Sequence, residues 1–239
     1  MNAIILAAGR GSRLNNFTKY KPKALIKFRN KTLLQNQINN LRINNVSNIY
    51  LITGYMKSKF RGYKVKKIHN QNWRKSNMIY SLLLAKKLLL NKECIISYGD
   101  IYYENNAITK LKNCKHDFCL LNNKYYLKNW QNRYKDPLKD LETFKFDKKN
   151  FLTEIGNKSK NYRSIKGQFM GLMKTKPSVW KKIFSFISNE KLNIDNISTT
   201  EFLNNLVMNQ IFKIKVINYT NEWYEVDNKN DLIYLKKNN

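Results

Sequence analysis

The feature that most constrains the fold is a short apolar run near the start of the chain, Ala3-Ile4-Ile5-Leu6-Ala7, which stops at the glycine-containing segment 8–13. An uninterrupted apolar run of strand length is typical of a strand that is buried on both faces, and such strands belong to parallel sheets covered by helices. The run is too short for a membrane span and lacks the basic flank of a signal peptide. It therefore predicts a buried first strand and no membrane insertion.

Strand-like and helix-like segments alternate along the rest of the chain. The predicted strands cover residues 48–53, 64–68, 94–98, 117–121, 168–173, 213–217 and 223–226. The predicted helices cover residues 32–44, 77–90, 106–112, a stretch after Pro177, 199–208 and 228–237. Alternation of this kind indicates βαβ units with right-handed crossovers. The predicted fold class is α/β, a Rossmann-like mixed and mostly parallel sheet flanked by helices.

One stretch breaks this alternation. Residues 122–167 are polar and aromatic, show strand-like alternation only around 141–146, and hold too few apolar residues for a core of their own. We interpret this stretch as an inserted lid or acceptor region within a single domain that covers residues 1–239.

The composition is strongly basic, with 45 Lys and Arg residues against 16 Asp and Glu residues, a formal charge of +29. Such an excess suggests a nucleic-acid or anionic-membrane partner. However, 37 of the basic residues are Lys and only 8 are Arg, the residue preferred for bidentate phosphate and base contacts. We interpret most of the excess as a solvated surface and expect no nucleic-acid partner, while a role for part of it toward an anionic partner stays open.

The cysteines indicate a reducing compartment. Cys94, Cys114 and Cys119 are odd in number and form no CxxC pair. This pattern is typical of free thiols, so we expect a cytoplasmic protein.

Two loop segments carry groups suited to binding phosphate. The first, Leu6-Ala7-Ala8-Gly9-Arg10-Gly11-Ser12-Arg13-Leu14, follows the first strand; its glycines let backbone N–H groups approach phosphate oxygens, and two arginines supply positive charge. In the second, Lys21-Pro22-Lys23, the proline stiffens the loop that presents Lys23. A tight turn with solvated arginines is the alternative interpretation of the first segment.

Two of the eight aspartates stand where predicted strands end. Asp100 follows the strand 94–98 through a glycine, and Asp227 follows the strand 223–226. Ligands of open parallel sheets bind beyond the carboxyl ends of the strands, and carboxylates are preferred ligands of Mg²⁺. Both aspartates are therefore candidate ligands for Mg²⁺ that bridges phosphate oxygens. For Asp227, capping of the following helix is the alternative.

These segments resemble the nucleotidyltransferases that join a nucleoside triphosphate to a phosphorylated acceptor. The matching residues lie in Leu6-Ala7-Ala8-Gly9-x-Gly11-x-Arg13-Leu14 and in Lys21-Pro22-Lys23-Ala24-Leu25. The stretch 70–82 and the later Trp223-Tyr224-Glu225-Val226-Asp227 are similar to the branch that contains the bacterial phosphocholine cytidylyltransferases. The resemblance implies the nucleotide-diphospho-sugar transferase fold.

The resemblance also implies a set of site residues. Arg13, Lys23, Asp100 and Asp227 are expected to be catalytic, the two basic residues by neutralising phosphate and the two acidic residues by binding Mg²⁺. The expected nucleotide-binding residues are Leu6, Ala7, Ala8, Gly9, Arg10, Gly11, Ser12, Arg13, Lys23, Ser76, Asn77 and Asp100. On the acceptor side we expect Tyr102, Trp223 and Glu225, because aromatic rings can surround a quaternary ammonium group.

The expected function is an Mg²⁺-dependent cytidylyltransferase that transfers CMP from CTP to a small phosphorylated or phosphonate acceptor such as phosphocholine. Its expected partners are CTP and a small anionic acceptor. Two alternatives remain open: a sugar-1-phosphate nucleotidyltransferase, and a catalytically silent regulatory or nucleic-acid-binding protein.

Overall fold

A computed structural model of the chain describes residues 1–237. Its strands are β1 (Asn2–Ala7), β2 (Lys27–Phe28), β3 (Lys31–Thr32), β4 (Asn48–Thr53), β5 (Lys66–His69), β6 (Cys94–Tyr98), β7 (Ile101–Tyr103), β8 (Phe118–Asn123), β9 (Glu142–Phe146), β10 (Leu152–Lys158), β11 (Gln168–Thr175), β12 (Lys215–Tyr219) and β13 (Trp223–Glu225). Its α-helices are α1 (Leu33–Ile43), α2 (Met78–Leu83), α3 (Lys86–Asn91), α4 (Asn106–Asn113), α5 (Tyr126–Gln131), α6 (Pro177–Asn189), α7 (Thr199–Met208) and α8 (Lys229–Lys237).

The central sheet contains seven strands in the order β12-β8-β11-β6-β1-β4-β5. Strand β11 runs antiparallel to both of its neighbours, β6 and β8, and the other neighbouring pairs are parallel. The predicted fold class, a mixed and mostly parallel sheet flanked by helices, is therefore confirmed. Strand β1 lies inside the sheet, and all six of its residues are buried, as its apolar run predicts.

The core lies on the two faces of this sheet. Successive side chains of a strand point to opposite faces, so Ile5 joins the cluster under α1 and α4, while Ile4 joins the cluster under α2, α3, α6 and α7. Both side chains are fully buried. Burial of each stabilises the fold by about 1.5–3 kcal/mol, so the sequence that forms β1 also fixes its place between two helical layers.

A smaller third cluster joins the phosphate-type loops to the last part of the chain. Leu14 and Ile26, which flank the two loops, are buried with Val226 and Leu232. Val226 directly follows β13, and Leu232 belongs to α8. Packing of these apolar side chains therefore brings the loop around Lys23 next to the segment that carries Asp227.

Strand β13 does not belong to the central sheet. It pairs antiparallel with β7, in the register Trp223 to Tyr103 and Glu225 to Ile101. The expectation that Asp227 ends a strand of the parallel sheet is therefore wrong. The β7–β13 ribbon, and not the main sheet, carries Asp227 to the carboxyl end of β6.

The predicted helix 77–90 is two helices, α2 and α3. The backbone leaves the helical region at Ala85, whose φ and ψ are −88° and 19°, and the Ala85 amide donates to the carbonyl of Leu82 three residues before. Leu82, Ala85 and Leu89 keep the spacing of a single helix face and are all buried. Apolar periodicity therefore continues across the break, and the sequence pattern does not reveal it.

Residues 122–167 contain α5 and the antiparallel hairpin β9–β10, which packs against α7. Trp130 and Leu141 join one of the two main clusters, and Phe144 and Ile155 join the other. The stretch thus shares the main core, and its motion as a lid stays a prediction. No helix within residues 1–237 is long and apolar enough to span a bilayer.

Candidate active site

The loop after β1 folds tightly around the side chain of Lys23. Gly11 adopts a left-handed backbone with φ of +70°, and a Cβ atom there would lie 2.8 Å from Cδ of Lys23. Glycine meets both demands, since it tolerates positive φ and has no side chain. The Gly11 carbonyl accepts hydrogen bonds from the Leu14 amide at 3.0 Å and the Thr18 hydroxyl at 2.9 Å, which fix the turn.

Lys23 lies at the centre of an ion cluster. Its Nζ donates to Oδ2 of Asp100 at 2.7 Å and to Oδ1 of Asp227 at 2.8 Å. Arg13 pairs with the other oxygen of Asp227, while most of its own side chain stays exposed. Burial alone would lower the pKa of Lys23, but the charges of the two aspartates and the hydrogen bonds to them outweigh this effect and raise the pKa well above its ordinary value. Lys23 is therefore a permanent cation at any physiological pH.

Backbone hydrogen bonds bring the two carboxylates together. The Gly99 amide donates to the Leu6 carbonyl at 2.8 Å, so Asp100 lies beside the carboxyl end of β1. A Cβ on Gly99 would approach that carbonyl to 2.7 Å, which accounts for glycine at this position. The Val226 amide donates to the Asp100 carbonyl at 3.1 Å, which places Asp227 next to Asp100.

A cavity of about 260 Å³ opens in front of this cluster. Of the expected nucleotide-binding and catalytic residues, it is lined by Leu6, Ala7, Ala8, Gly9, Gly11, Arg13, Lys23, Ser76, Asn77, Asp100 and Asp227. Arg10 and Ser12 lie outside it: the Arg10 guanidinium stands 5.7 Å from the ring centre of Tyr55, and Ser12 is exposed at the start of a short 3₁₀ helix. Since neither residue lines the cavity, their expected contact with the nucleotide stays a prediction.

The far wall of the cavity is fixed by hydrogen bonds between side chains of the stretch 70–82. The buried Asn70 donates to the hydroxyls of Ser76 at 3.0 Å and Ser81 at 2.9 Å. Asn77, just before α2, donates through its side chain to the Asn196 carbonyl at 2.6 Å, which ties this wall to the segment before α7. Ser76 and Asn77 are therefore held in place before any ligand binds.

A second cavity of about 250 Å³ adjoins the first. The two share Arg13, Met78, Tyr98, Glu225 and Asp227, so a ligand in one lies next to a ligand in the other. Its remaining lining comes from the inserted stretch, β11 and the start of α7: Trp130, Asp140, Glu142, Thr143, Phe144, Ile155, Gln168, Phe169, Ser198, Thr199 and Thr200. The two cavities meet at the carboxylate cluster.

The second cavity is acidic. Besides Asp227 it is lined by Asp140, Glu142 and Glu225, and Arg13 is the only Lys or Arg that lines it within residues 1–237. Burial raises the pKa of Glu142. Burial also raises the pKa of Glu225, and the neighbouring charge of Asp100 adds to this effect. A cationic group in this cavity would therefore favour the ionised forms of these poorly solvated carboxyl groups.

Comparison with known proteins identifies the family. Residues 3–123 match the MobA-like NTP transferase domain. A CTP:phosphoglutamine cytidylyltransferase of Campylobacter jejuni is 31% identical in an alignment of 249 positions, gaps included, that covers 97% of this chain and 98% of the relative. The chain belongs to the MobA-like NTP transferases. The predicted nucleotidyltransferase family and enzyme class are therefore confirmed.

Two further comparisons agree with this family. A choline-phosphate cytidylyltransferase of Streptococcus pneumoniae is 39% identical over 99 residues, 40% of this chain and 43% of the relative. The solved structure of a CTP:phosphocholine cytidylyltransferase from Streptococcus pneumoniae superposes with a TM-score of 0.72 at 21% identity, and covers 99% of this chain and 97% of that one. The similarity to this solved structure shows that the fold is shared.

In this NTP transferase, one of the three expected acceptor residues lines the two cavities, and the acceptor role of all three stays a prediction. Glu225 lines both cavities, but Tyr102 and Trp223 line neither. Trp223 is buried, stacks on Trp130 with ring centres 6.1 Å apart, and donates through Nε1 to the Met170 carbonyl. Tyr102 packs edge-on against Phe28 at 4.6 Å. Both rings therefore make packing contacts around the β7–β13 ribbon.

Apart from Arg13, Glu225 and Asp227, the residues that line the second cavity were not assigned to the site from the sequence. Most of them come from α5, β9, β10, β11, the start of α7 and the segments next to these elements, which lie far apart along the chain. Trp73, which lines the first cavity, lies within the similar stretch 70–82 but was not expected at the nucleotide site. The available signals were the aromatic residues Tyr98, directly before the Gly99-Asp100 step, and Trp130.

Proposed function

We propose that the protein is a cytidylyltransferase that transfers CMP from CTP to a small phosphorylated acceptor and releases pyrophosphate. The observation that carries the proposal is the Lys23-Asp100-Asp227 cluster at the junction of a nucleotide-side cavity and an acidic cavity. The full-length likeness to a CTP:phosphoglutamine cytidylyltransferase supports the choice of CTP and of a phosphorylated acceptor. The arrangement suits a reaction between two anions, because it holds them side by side and offers positive charge between them.

The cofactor that we propose is Mg²⁺, and the donor set fits it. Oδ1 of Asp100 is buried and has no hydrogen-bond partner among the described residues. Mg²⁺ is usually bound by one or two carboxylates together with substrate phosphates and water, so the pair Asp100 and Asp227 is sufficient. Within residues 1–237 no group of three or more His, Cys, Asp or Glu side chains is arranged to hold a metal by itself. When bound, the ion would neutralise charge on the triphosphate and on the leaving pyrophosphate.

In the proposed reaction, an oxygen of the acceptor phosphate attacks the α-phosphorus of CTP in line. The new P–O bond forms as the bond between the α-phosphorus and the bridging oxygen breaks, and pyrophosphate leaves with that electron pair. The chain contributes positioning and charge: backbone amides of the loop 8–11 face the phosphates, and Arg13 and Lys23 offset the charge that develops. No protein nucleophile is required.

Lys23 has two roles in this scheme. In the structure its ammonium group offsets the charges of Asp100 and Asp227, which would otherwise repel each other at close range. If these carboxylates held a divalent cation, the Lys23 ammonium group would be available for a phosphate oxygen. A lysine suits this exchange, because its point charge can turn on a flexible stem while Pro22 keeps the backbone fixed.

We further propose that the acceptor carries an ammonium group at the end remote from its phosphate or phosphonate. Phosphate belongs near Arg13 and Lys23, at the junction of the cavities, and the other end of the acceptor then lies among Asp140, Glu142 and Glu225. Tyr98, Trp130 and Phe169 add aromatic surface to the same cavity, which favours cationic groups. Phosphocholine and phosphates or phosphonates of other amino compounds meet this description.

The test is pyrophosphate release with MgCl₂, each of the four nucleoside triphosphates, and a panel of acceptors. The panel contains phosphocholine, phosphoethanolamine, 2-aminoethylphosphonate, phosphoglutamine and glucose 1-phosphate. We expect release with CTP and an amino-compound acceptor, and ³¹P NMR should show the CMP-linked product. Release only with glucose 1-phosphate would favour the sugar-1-phosphate alternative, and no release with any pair would favour the silent homologue.

A matched pair of variants ties the activity to the site. We expect Asp100→Asn to lower kcat/KM by about 100-fold or more, because it removes a charge at the reacting phosphates. Asp117→Asn is the control, since Asp117 is an exposed aspartate that pairs with Lys176 away from both cavities. Equal activity of the two purified variants would overturn the assignment of the site.

A further inference from the structure

Asp227 is held from behind by a second aspartate. Oδ2 of Asp231 accepts hydrogen bonds from the backbone amides of Asp227 at 2.7 Å and of Asn228 at 2.8 Å. The Asn228 side chain in turn accepts from the Asn230 amide at 2.8 Å. Asn228 and Asp231 thus cap α8 in the manner of a capping box, and the cap leaves the Asp227 carboxylate free to face Lys23.

Asp231 is itself held by an arginine from the inserted stretch. Nε of Arg133 donates to Oδ1 of Asp231 at 2.6 Å, and both side chains are almost completely buried, at 4% and 0% exposure. The Arg133 guanidinium lies 4.7 Å from the ring centre of Trp130. The Tyr134 hydroxyl accepts from the Asn228 side chain at 2.6 Å. Residues 130–134 therefore contact the segment that begins with Asp227 at both Asn228 and Asp231.

The same short segment also supports the second cavity. Nε1 of Trp130 donates to Oδ2 of Asp140 at 2.8 Å, and both residues line that cavity. Residues 130–134 thus line the acidic cavity through Trp130 and are linked to Asp227 through Arg133 and Asp231.

Stability alone is a weak reason for such a pair. A fully buried ion pair costs so much desolvation that well-packed apolar residues are often equally stable in its place. A charged, hydrogen-bonded pair instead fixes the position of the backbone. An apolar contact can shift, whereas the hydrogen bonds from two specific amides to Asp231 hold the backbone in one place.

We propose that Arg133 and Asp231 are positioning residues for the transfer reaction: they fix the backbone of Asp227 so that its carboxylate meets Lys23 and the cation. The inference rests on the proposed function, because it assumes that Asp227 helps to bind the metal–CTP complex. It assigns to the inserted stretch a direct part in the nucleotide half of the site.

The test compares Asp231→Asn with Glu93→Gln. Asparagine retains the shape but cannot accept from both amides and from Arg133 together. Glu93 pairs with the buried Lys174 at 3.0 Å, at the start of β6 and thus at the strand end opposite to Asp100. Each variant breaks an ion pair that has at least one buried partner, so both should lower the melting temperature, and only Asp231→Asn should affect the metal site.

The readouts are the Kd of Mn²⁺ by electron paramagnetic resonance, with and without CTP, and the steady-state constants with MgCl₂. For Asp231→Asn we expect an approximately 10- to 100-fold weaker Mn²⁺ affinity and a matching fall in kcat, the usual effect of losing such a supporting partner. We expect the KM for the acceptor to change little. For Glu93→Gln we expect the parent values.

Unchanged Mn²⁺ affinity in Asp231→Asn, or an equal loss in Glu93→Gln, would overturn the proposal. If Asp231→Asn fails to fold, Arg133→Lys is judged by the same criterion, because it retains the buried charge and loses the Nε contact. Mn²⁺ binding without CTP distinguishes failure of the positioning role from failure of the proposed function. If the parent binds Mn²⁺ but neither binds nor uses CTP, the proposed function is wrong. The Mn²⁺ affinities of parent and variants still test the positioning role.

Discussion

At the scale of single residues, the site is defined by charges that compensate one another before any ligand is present. The Lys23 ammonium group is bound to two carboxylates that lie far apart in the sequence, Asp100 and Asp227, and Arg13 shares one of them. Side chains with so many partners are ordered in advance, which lowers the entropy lost on forming the reactive complex.

The first prediction concerns Lys23→Met. Without the ammonium group, Asp100 loses its counter-charge and Asp227 keeps only that of the exposed Arg13, so the metal-free protein should lose about 2–4 kcal/mol of unfolding free energy. A divalent cation can replace the missing charge, so MgCl₂ should raise the melting temperature of the variant more than that of the parent. Calorimetry with EDTA and with MgCl₂ checks this. Equal melting temperatures of variant and parent in EDTA would contradict the compensating role of Lys23.

The second prediction concerns Gly9→Ala. A Cβ at Gly9 would meet no atom within 4 Å, and it would project from a residue that lines the first cavity. The variant should therefore melt like the parent, while the KM for CTP rises by about 10- to 100-fold because the methyl group displaces the phosphates. Gly62→Ala is the control, since Gly62 also has open space around its Cβ position and lies away from the cavity. Equal KM values for CTP in the two variants would contradict the proposed position of the triphosphate.

At the scale of elements, the sequence correctly predicts features that depend on residues close together along the chain. Ser198 and Glu201 form a complete capping box at the start of α7, which begins at the same residue as the predicted helix 199–208. The break between α2 and α3 was missed, because the apolar spacing is the same on both sides of Ala85. The place of β13 was also missed, since its pairing with β7 depends on contacts more than a hundred residues away.

The third prediction follows from that cap. Ser198→Ala should lower the unfolding free energy by about 1 kcal/mol through loss of the bond from the Glu201 amide. Thr199 and Thr200 begin the helix and line the second cavity, so the KM for the acceptor should rise while the KM for CTP stays constant. Denaturant titration and initial rates measure the two effects. A change in the KM for CTP alone would contradict the division of the site into two cavities.

The fourth prediction concerns the pH dependence set by Glu142, on the hairpin β9–β10. Burial raises the pKa of Glu142, so this carboxyl group loses its charge at a higher pH than an ordinary glutamate does. As the pH falls toward that pKa, the KM for an acceptor with an ammonium group should rise, by about tenfold for one lost charged contact. Glu142→Gln should show the high KM throughout and a flatter profile.

Glu154→Gln is the control for this experiment. Glu154 lies on the same hairpin, pairs with Lys145 and does not line either cavity. Its variant should keep the parent profile, and a flattened profile in Glu154→Gln would show that the pH dependence does not come from the cavity.

At the scale of the whole molecule, the sequence predicts the class of sheet and the nucleotide half of the site better than the acceptor half. The loop 6–14, Lys23 and Asp100 are local motifs next to strands whose burial is evident from composition, so their positions follow from parallel-sheet geometry. The acidic cavity depends on how β9, β10, β11 and α7 fold over one another, and no spacing in the sequence encodes that packing. For the same reason Tyr102 and Trp223 were predicted at the acceptor and lie in packed surroundings.

The fifth prediction uses the charge of the whole chain. A formal charge of +29 should attract CTP over long distances, and salt screens such attraction within about 10 Å at 0.1 M. We expect kcat/KM for CTP to fall steadily as NaCl rises from about 0.05 M to 0.5 M, a range in which screening becomes strong. Sucrose at matched osmolarity is the control, and a rate constant that is independent of salt would show that the surface lysines do not steer the substrate.

The β7–β13 ribbon has a consequence for the timing of activity during biosynthesis. The glycine loop, Lys23 and Asp100 are all made within the first hundred residues, but the second carboxylate is delivered only with the ribbon strand Trp223–Glu225. Until that strand has been translated and paired, Lys23 has one counter-charge and the nucleotide cavity lacks a wall. A nascent chain that has not yet formed β13 is therefore expected to be inactive, and a protease cut before β13 should abolish activity without touching the nucleotide loop.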